Sequence, residues 1–322
     1  MAKQDMTFLE KRMPKILMFT GKGGVGKTTS SSATAVHFAR KGLRTLLIST
    51  DPAPSLSDMF ERDVNGVITP IEQVPNLSVV ELDYDLILEL WKEKYGEEVY
   101  TVASSFLPVD REIIDYVAGA PGMDQEFALS YLLDLHTSGD YDVIVWDTAP
   151  AGGTLSLLNL QDTLYQHLGE AAKMYMRVRK ALEALSKGRA KEDPLKMIAK
   201  WEKLSKNVLN MMRSETTMGF VVTNPEALCV NQANRVVEDL EKFGIQIGGI
   251  ILNRVLTEAA VDSDFNKKRR DFQLKYIEEL QTTYQGKLPV IQVPLMPFEV
   301  KGVEALKRVE EVLYAPNDLP SG

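Results

Sequence analysis

Apolar positions along the chain alternate between two kinds of pattern. Short unbroken runs predict strands buried on both faces: Ile16 to Thr20, Leu43 to Ser49, Leu77 to Leu82, Val143-Ile144-Val145-Trp146, Thr217 to Thr223, Ile247 to Asn253 and Val290-Ile291-Gln292-Val293. Segments with helical spacing fall among them: Thr28 to Arg40, closed by Lys41-Gly42, then Asn231 to Phe243, Val261 to Tyr284 and Val303 to Leu313. Met1 to Pro14 is a polar lead-in with no periodicity. The alternation predicts an α/β protein with a doubly wound, mostly parallel sheet, in which Val143–Trp146 lies beside Ile16–Thr20.

Two stretches exceed what a crossover needs. From Asp83 to about Thr137 the apolar positions are helical, with Leu86, Leu90, Trp91 and Tyr95, then Phe127, Leu129, Leu132 and Leu133 after Pro121-Gly122. From Gln161 to Arg213, Leu164, Leu168, Ala171, Tyr175, Val178, Leu182 and Leu185 recur at alternating steps of four and three. Met197, Trp201, Leu204, Val208 and Met211 continue that spacing beyond a polar turn, Ser186 to Pro194. These predict two long antiparallel helices. Their seams either pack together or, softened by Met174, Met176, Met197, Met211 and Met212, line an adaptable groove for apolar client segments. The expected organisation is one domain over 1–322, with a helical subdomain formed by insertions at about 83–137 and 155–213.

Composition narrows the class. A 322-residue chain with 44% hydrophobic and 25% charged residues has an ample core. No apolar run approaches the roughly 20 residues needed to span a bilayer, and the N-terminus is too polar for a secretory signal, so the expected location is cytoplasmic, with peripheral membrane contact left open and no stable insertion. The net charge of −8 argues against a nucleic-acid partner. Lys267-Lys268-Arg269-Arg270, flanked by Asp262, Asp264 and Asp271, reads as a solvated helix start or a partner contact. One cysteine, Cys229, excludes an intramolecular disulfide and a Cys-based metal cage within one chain.

Candidate chemistry centres on Gly21-Lys22-Gly23-Gly24-Val25-Gly26-Lys27-Thr28-Thr29, which fits G-x-x-x-x-G-K-[ST] between a strand and a helix. Its glycines let successive backbone N–H groups turn toward one anion, and the helix N-terminus adds its own donors. Lys27 is placed to reach the β and γ phosphates and Thr28 to offer a hydroxyl to Mg²⁺. Asp147 ends an apolar strand before a glycine-rich turn. That layout suits a carboxylate acting on Mg²⁺ through water, with the Gly152 N–H meeting the γ-phosphate. Asp51, between a strand end and Pro52, is the candidate for positioning or deprotonating water, although such an aspartate is as often a turn residue. Lys22 is a second lysine near the loop start. It suits a charge delivered across a dimer interface, as an arginine finger is, or a solvated loop lysine.

These motifs carry a resemblance. Residues 21–29 resemble the deviant Walker A of the SIMIBI class of P-loop ATPases, Ser49-Thr50-Asp51-Pro52-Ala53 with Ser55-Leu56-Ser57-Asp58 resembles switch I of the ArsA/Get3 family, and Asp147-Thr148-Ala149-Pro150 with Gly152, Thr154 and Leu155 resembles its switch II. Pro121-Gly122-Met123-Asp124 resembles a further family segment. The resemblance implies a homodimeric ATPase using ATP and Mg²⁺, with Lys22 reaching the partner's nucleotide and Asp51 catalytic. It also places Glu226 and Asn253 near the nucleoside. By the same resemblance, nucleotide-driven closure would control binding of tail anchors or other hydrophobic membrane-protein segments and their delivery to a membrane receptor. An arsenical or anion pump-driving subunit is the nearest alternative, and a partition or positioning ATPase a more distant one.

The sequence also departs from the family pattern. Pro54 and Gly153 stand where histidine is common. Ser263 and Asn266 replace the zinc-binding Cys-x-x-Cys, and one cysteine per chain supports neither a three-thiolate arsenite site nor an iron–sulfur cluster. No zinc or iron–sulfur cluster is therefore expected.

Overall fold

The computed structural model describes residues 5–51, 55–106, 108–120, 122–149 and 194–314. These divide between two compact units, one of residues 5–83, 138–149 and 213–314, the other of 84–137 and 194–212.

The first unit is built on an eight-stranded sheet. Its strands are β1 (Ile16–Gly21), β2 (Thr45–Ser49), β3 (Thr69–Pro70), β4 (Leu77–Glu81), β5 (Val143–Asp147), β6 (Thr217–Thr223), β7 (Gln246–Val255) and β8 (Val290–Pro294). The order across the sheet is β3-β4-β2-β5-β1-β6-β7-β8, parallel throughout except that β3 runs antiparallel to β4. All six residues of β1 are buried between β5 and β6, as the apolar run requires. The parallel register sets Phe19 of β1 and Ser49 of β2 on either side of Asp147. The carboxyl ends of the three strands that carry the sequence motifs therefore meet at one edge, the usual place for a ligand crevice.

Six α-helices with described residues accompany this sheet: α1 (Phe8–Arg12), α2 (Lys27–Arg40), α3 (Leu56–Phe60) and, after the second unit's four, α8 (Ala227–Phe243), α9 (Asp264–Thr283) and α10 (Gly302–Tyr314), with a short 3₁₀ turn at Glu258–Ala260. Small residues from Ser30 to Ala35 allow α2 to be buried along most of its length. It packs on β1, β2 and β5 and against α10. At its far end His37 is buried between two carboxylates, Nδ1 3.0 Å from Glu310 and Nε2 3.0 Å from Glu10, and stacks on Tyr314 with centroids 3.6 Å apart. Arg40 pairs with Glu310 and Lys41 with Glu10, so one ionic network ties α1, α2 and α10 together. Burial opposes the charged Glu310, yet its hydrogen bonds from His37 and Arg40 hold it below the ordinary carboxylate range.

The second unit contains α4 (Tyr84–Phe106), α5 (Glu112–Ala118), α6 (Met123–Ser138) and α7 (Pro194–Met212). Trp91, Tyr95 and Phe127 form a ring cluster, and Tyr95 Oη lies 2.7 Å from Ser130 Oγ. Glu98 accepts a 2.9 Å bond from Trp201 Nε1 and pairs with Lys200, joining α4 to α7. Met211 and Met212 are buried and Met197 half-buried; Met174, Met176 and the first arm of the expected hairpin lie outside the described residues.

Several elements differ from the sequence pattern. The polar lead-in contains α1, a helix too short to persist alone. It is held because Met6 and Leu9 are fully buried and the Met6 N–H donates to Leu313 at 2.8 Å. The stretch from Asp83 to Thr137 is three helices. Pro108 follows the first break and Gly119 the second, each ending an otherwise continuous helical pattern. The helix expected from Val261 begins only at Asp264, because Ser263 caps it by accepting from the Asn266 N–H at 3.3 Å.

Candidate active site

The turn after β1 owes its path to three glycines. Gly21 passes so close to β6 that a Cβ would lie 2.2 Å from the Val222 carbonyl oxygen. Gly24 and Gly26 adopt φ of +77° and +99°, and a Cβ on Gly26 would lie 2.1 Å from Asn253 Nδ2. Gly23 and Gly24 face open space. They border a cavity of about 350 Å³ lined also by Gly26, Lys27, Thr28, Asp51, Ser55 and Arg254. Lys27, buried on the first turn of α2, lies 3.6 Å from Asp51 Oδ2.

Beneath this cavity sits Asp147, fully buried. Thr28 Oγ1 donates to its Oδ2 at 2.6 Å, while Oδ1 has no partner among the described residues. Burial pushes the carboxyl up to about 7, against the Thr28 hydrogen bond and the Lys27 charge, which pull it down. Strand ends are held firmly here. The Thr50 N–H donates to the Asp147 carbonyl at 3.1 Å, Trp146 Nε1 to Thr50 Oγ1 at 3.0 Å and Thr148 Oγ1 to the Phe19 carbonyl at 3.0 Å.

Ser55 enters from the segment after β2, its Oγ 3.3 Å from Thr28 Oγ1. A second buried carboxylate holds it there. Glu81, at the end of β4, accepts from the N–H groups of Ser55 (2.5 Å), Leu56 (2.9 Å) and Ser57 (3.3 Å) and from Ser57 Oγ (3.1 Å). A carboxylate at the start of α3 satisfies donors that the helix cannot satisfy itself.

A larger cavity, of about 510 Å³, adjoins the first at Gly26 and Arg254. Its lining includes Thr29, Asn253, Arg269 and the apolar Val293-Pro294-Leu295-Met296 run with Phe298. Asn253 Nδ2 donates to the Val25 carbonyl at 2.8 Å, which fixes the amide across the loop. The register of β7 against β8 shifts between Leu252 and Val255, a bulge that aims Asn253 and Arg254 at the cavities.

Of the residues singled out from sequence, Gly23, Gly24, Gly26, Lys27, Thr28 and Asp51 line the smaller cavity, with Asp147 bonded to Thr28 beneath it. Thr29 and Asn253 line the larger one. Gly21 and Val25 shape the loop from below. Lys22 is half-buried and lines neither cavity; no carboxylate pairs with it among the described residues. Glu226 stands at the N-cap of α8 without capping it and pairs with Arg269 at 3.4 Å, at the larger cavity's edge. Gly152, Gly153 and Pro54 lie outside the described residues. Sequence reasoning passed over Ser55 as a site residue, and it missed Glu81, Arg254 and Gln273. A glutamate ending an apolar strand, opposite the Ser-x-Ser of a predicted loop, was the available signal for Glu81.

A central parallel strand feeding a glycine-rich turn and a helix, with lysine, hydroxyl and two carboxylates at neighbouring strand ends, defines a P-loop nucleotide hydrolase. Residues 14–315 match the model of the ArsA ATPase family, described as anion-transporting ATPase, and the chain belongs to that family. It is an ATP hydrolase. It is 33% identical to the putative arsenical pump-driving ATPase 2 of Aquifex aeolicus, over 93% of this chain and 99% of that one. It is 31% identical to ATPase ASNA1 homolog 1 of Paramecium tetraurelia, over 97% and 96%, and 29% identical to the ATPase get3 of Schizosaccharomyces pombe, over 97% and 95%. No described helix is long and apolar enough to cross a membrane.

Proposed function

We propose that the chain is a Mg²⁺-dependent ATPase that works as a homodimer, and that ATP-driven closure controls capture and delivery of apolar membrane-protein segments such as tail anchors. The observation that carries the hydrolytic half is the convergence of Lys27, Thr28, Asp51, Ser55 and Asp147 around the glycine turn. The donor set fits Mg²⁺. Thr28 supplies a hydroxyl, and Oδ1 of Asp147 is a buried acceptor with no donor among the described residues. Mg²⁺ is satisfied by few protein ligands together with waters and phosphate oxygens. When bound it would neutralise charge developing on the phosphates.

In this reading the backbone N–H groups from Gly23 to Thr28 orient the phosphates, and Lys27 binds the terminal ones. Asp51, drawn toward Lys27, exchanges that partner for water when phosphate takes the lysine. The larger cavity holds the nucleoside, with the Asn253 amide offered to the base edge. Lys22, lacking a place in its own cavities, serves the partner's nucleotide. The helical unit carries the client, supported by its similarity to Get3-named relatives and by the methionines of its seams. Against an arsenite-driven pump stands the lone, buried Cys229, which supplies no thiolate cluster.

Mixing variants tests the shared site. Lys22→Ala and Asp51→Asn proteins should each be nearly inactive. An equal mixture should recover about a quarter of wild-type ATPase activity, because half the dimers carry one intact composite site. Normal hydrolysis by Lys22→Ala alone overturns the trans role. Failure of an Asp51→Asn protein to hold a co-expressed tail-anchor peptide in solution, in any nucleotide state, overturns the client role.

A further inference from the structure

We propose that Arg254 is a phosphate-binding residue of the nucleotide site, presented by a strained bulge that Gln273 clamps from outside the cavity. The inference rests on the ATP reading above and deepens it. Arg254 has φ of +57°, a conformation that a non-glycine residue seldom adopts unless its surroundings enforce it. The distortion falls within the β7 bulge, and its consequence is that Arg254 lines both the glycine-turn cavity and the larger cavity beside it.

Charge makes the placement informative. The other cations that line these cavities have acidic partners, Lys27 facing Asp51 and Arg269 facing Glu226, and beside them Arg270 Nη2 lies 3.1 Å from Glu258. No carboxylate pairs with Arg254 among the described residues. In a chain of net charge −8, an uncompensated guanidinium between these two cavities calls for an anionic ligand. The planar, forked guanidinium matches two phosphate oxygens better than a lysine ammonium does. The chemistry it would recognise is therefore the polyphosphate of the bound nucleotide.

The clamp is explicit. Gln273, buried on α9, accepts from the Leu256 N–H at 2.8 Å through Oε1 and donates to the Arg254 carbonyl at 3.0 Å through Nε2. The Arg254 N–H donates to Asn253 Oδ1 at 2.9 Å, and Arg270 Nε donates to the Leu256 carbonyl at 3.2 Å. A glutamine carries one acceptor and one donor on the same amide, which is what the two sides of this bulge present. Gln273 is thus a positioning residue for Arg254.

Calorimetric titration of the full-length protein with adenosine, ADP and ATP separates the roles. Arg254→Gly relieves the positive φ and preserves the fold, so it is the primary variant; Arg254→Lys keeps charge without the fork. Arg254→Gly should weaken ATP binding about 10-fold or more while leaving adenosine within about 2-fold, and Arg254→Lys should recover part of the loss. Gln273→Leu should weaken ATP in the same direction, with adenosine spared. If ATP affinity of Arg254→Gly stays within about 2-fold of wild type, or if adenosine and ATP weaken equally, the proposal is wrong. Wild-type protein that binds no ATP would overturn the nucleotide reading itself, a different result from the first.

Discussion

Glu81 offers the sharpest test of how the switch segment is held. It is 1% exposed, and its two oxygens take four donors from Ser55, Leu56 and Ser57. Hydrogen bonds to a charged acceptor contribute about 1.5–3 kcal/mol each, and they are not additive when one group accepts them all. Replacing Glu81 with alanine removes every acceptor and leaves the start of α3 uncapped. A loss of about 3–5 kcal/mol in unfolding free energy is expected, comparable with breaking a buried charged network. Glu81→Gln should lie between, at about 1–3 kcal/mol, because its Oε1 still serves Ser55 and Leu56 while its amide N–H groups meet the Ser57 donors. Urea denaturation of the three proteins, with equal slopes checked, measures this directly. Because Ser55 is held against Thr28 by these bonds, ATP hydrolysis should fall in Glu81→Gln by more than its unfolded fraction explains. Should Glu81→Ala unfold within about 1 kcal/mol of wild type, the carboxylate is not what holds the segment, and the reasoning fails.

Two further outcomes follow from the same physical reasoning. Burial raises Glu126 to about 7, above its value in an unfolded chain, so the folded protein retains a proton there that the unfolded chain gives up. That contribution is intact at low pH and is lost as pH rises toward and through 7; Glu126→Gln should therefore match wild type near pH 4 and exceed it by about 3 kcal/mol near pH 8. Superimposable stability curves across that range would refute this. In the loop, Gly24→Ala meets no atom within 4 Å and should cost about 1 kcal/mol of stability while abolishing ATP binding. Gly26→Ala drives a Cβ into Asn253 and should cost about 2–4 kcal/mol in thermal or urea unfolding; equal costs for the two variants would show that the contact is unimportant.

The glycine turn, its lysine and its threonine were legible in the sequence because their interactions close within nine consecutive residues between a strand and a helix. The same holds for the apolar runs, since burial on both faces leaves its own unbroken pattern, and for Asp51 and Asp147, which end such runs. What joins them is not local. Thr28 meets Asp147 across 119 positions and Ser55 meets Glu81 across 26, distances over which periodicity carries no information. Helix α1 is similarly invisible, because five residues are too few to show a period or to hold a helix alone, and they are ordered by the burial of Met6 and Leu9 and by an ionic network reaching Glu310. At Ser263 and Asn266 the sequence showed only that a thiol pair was missing; the fold shows those side chains capping a helix and bonding Asp262.

By itself, then, the sequence determined a phosphate-cradling loop in a parallel α/β sheet, because hydrophobic alternation and glycine geometry are encoded residue by residue. Only the tertiary structure decided which side chains complete the site. Strand order brings β5 beside β1 and β2 beside β5, the β7 bulge turns Arg254 toward the cavities, and α9 supplies the glutamine that holds it there. Those choices depend on packing between elements far apart in the chain, where many partners are compatible with the local pattern and the close-packed interior selects one.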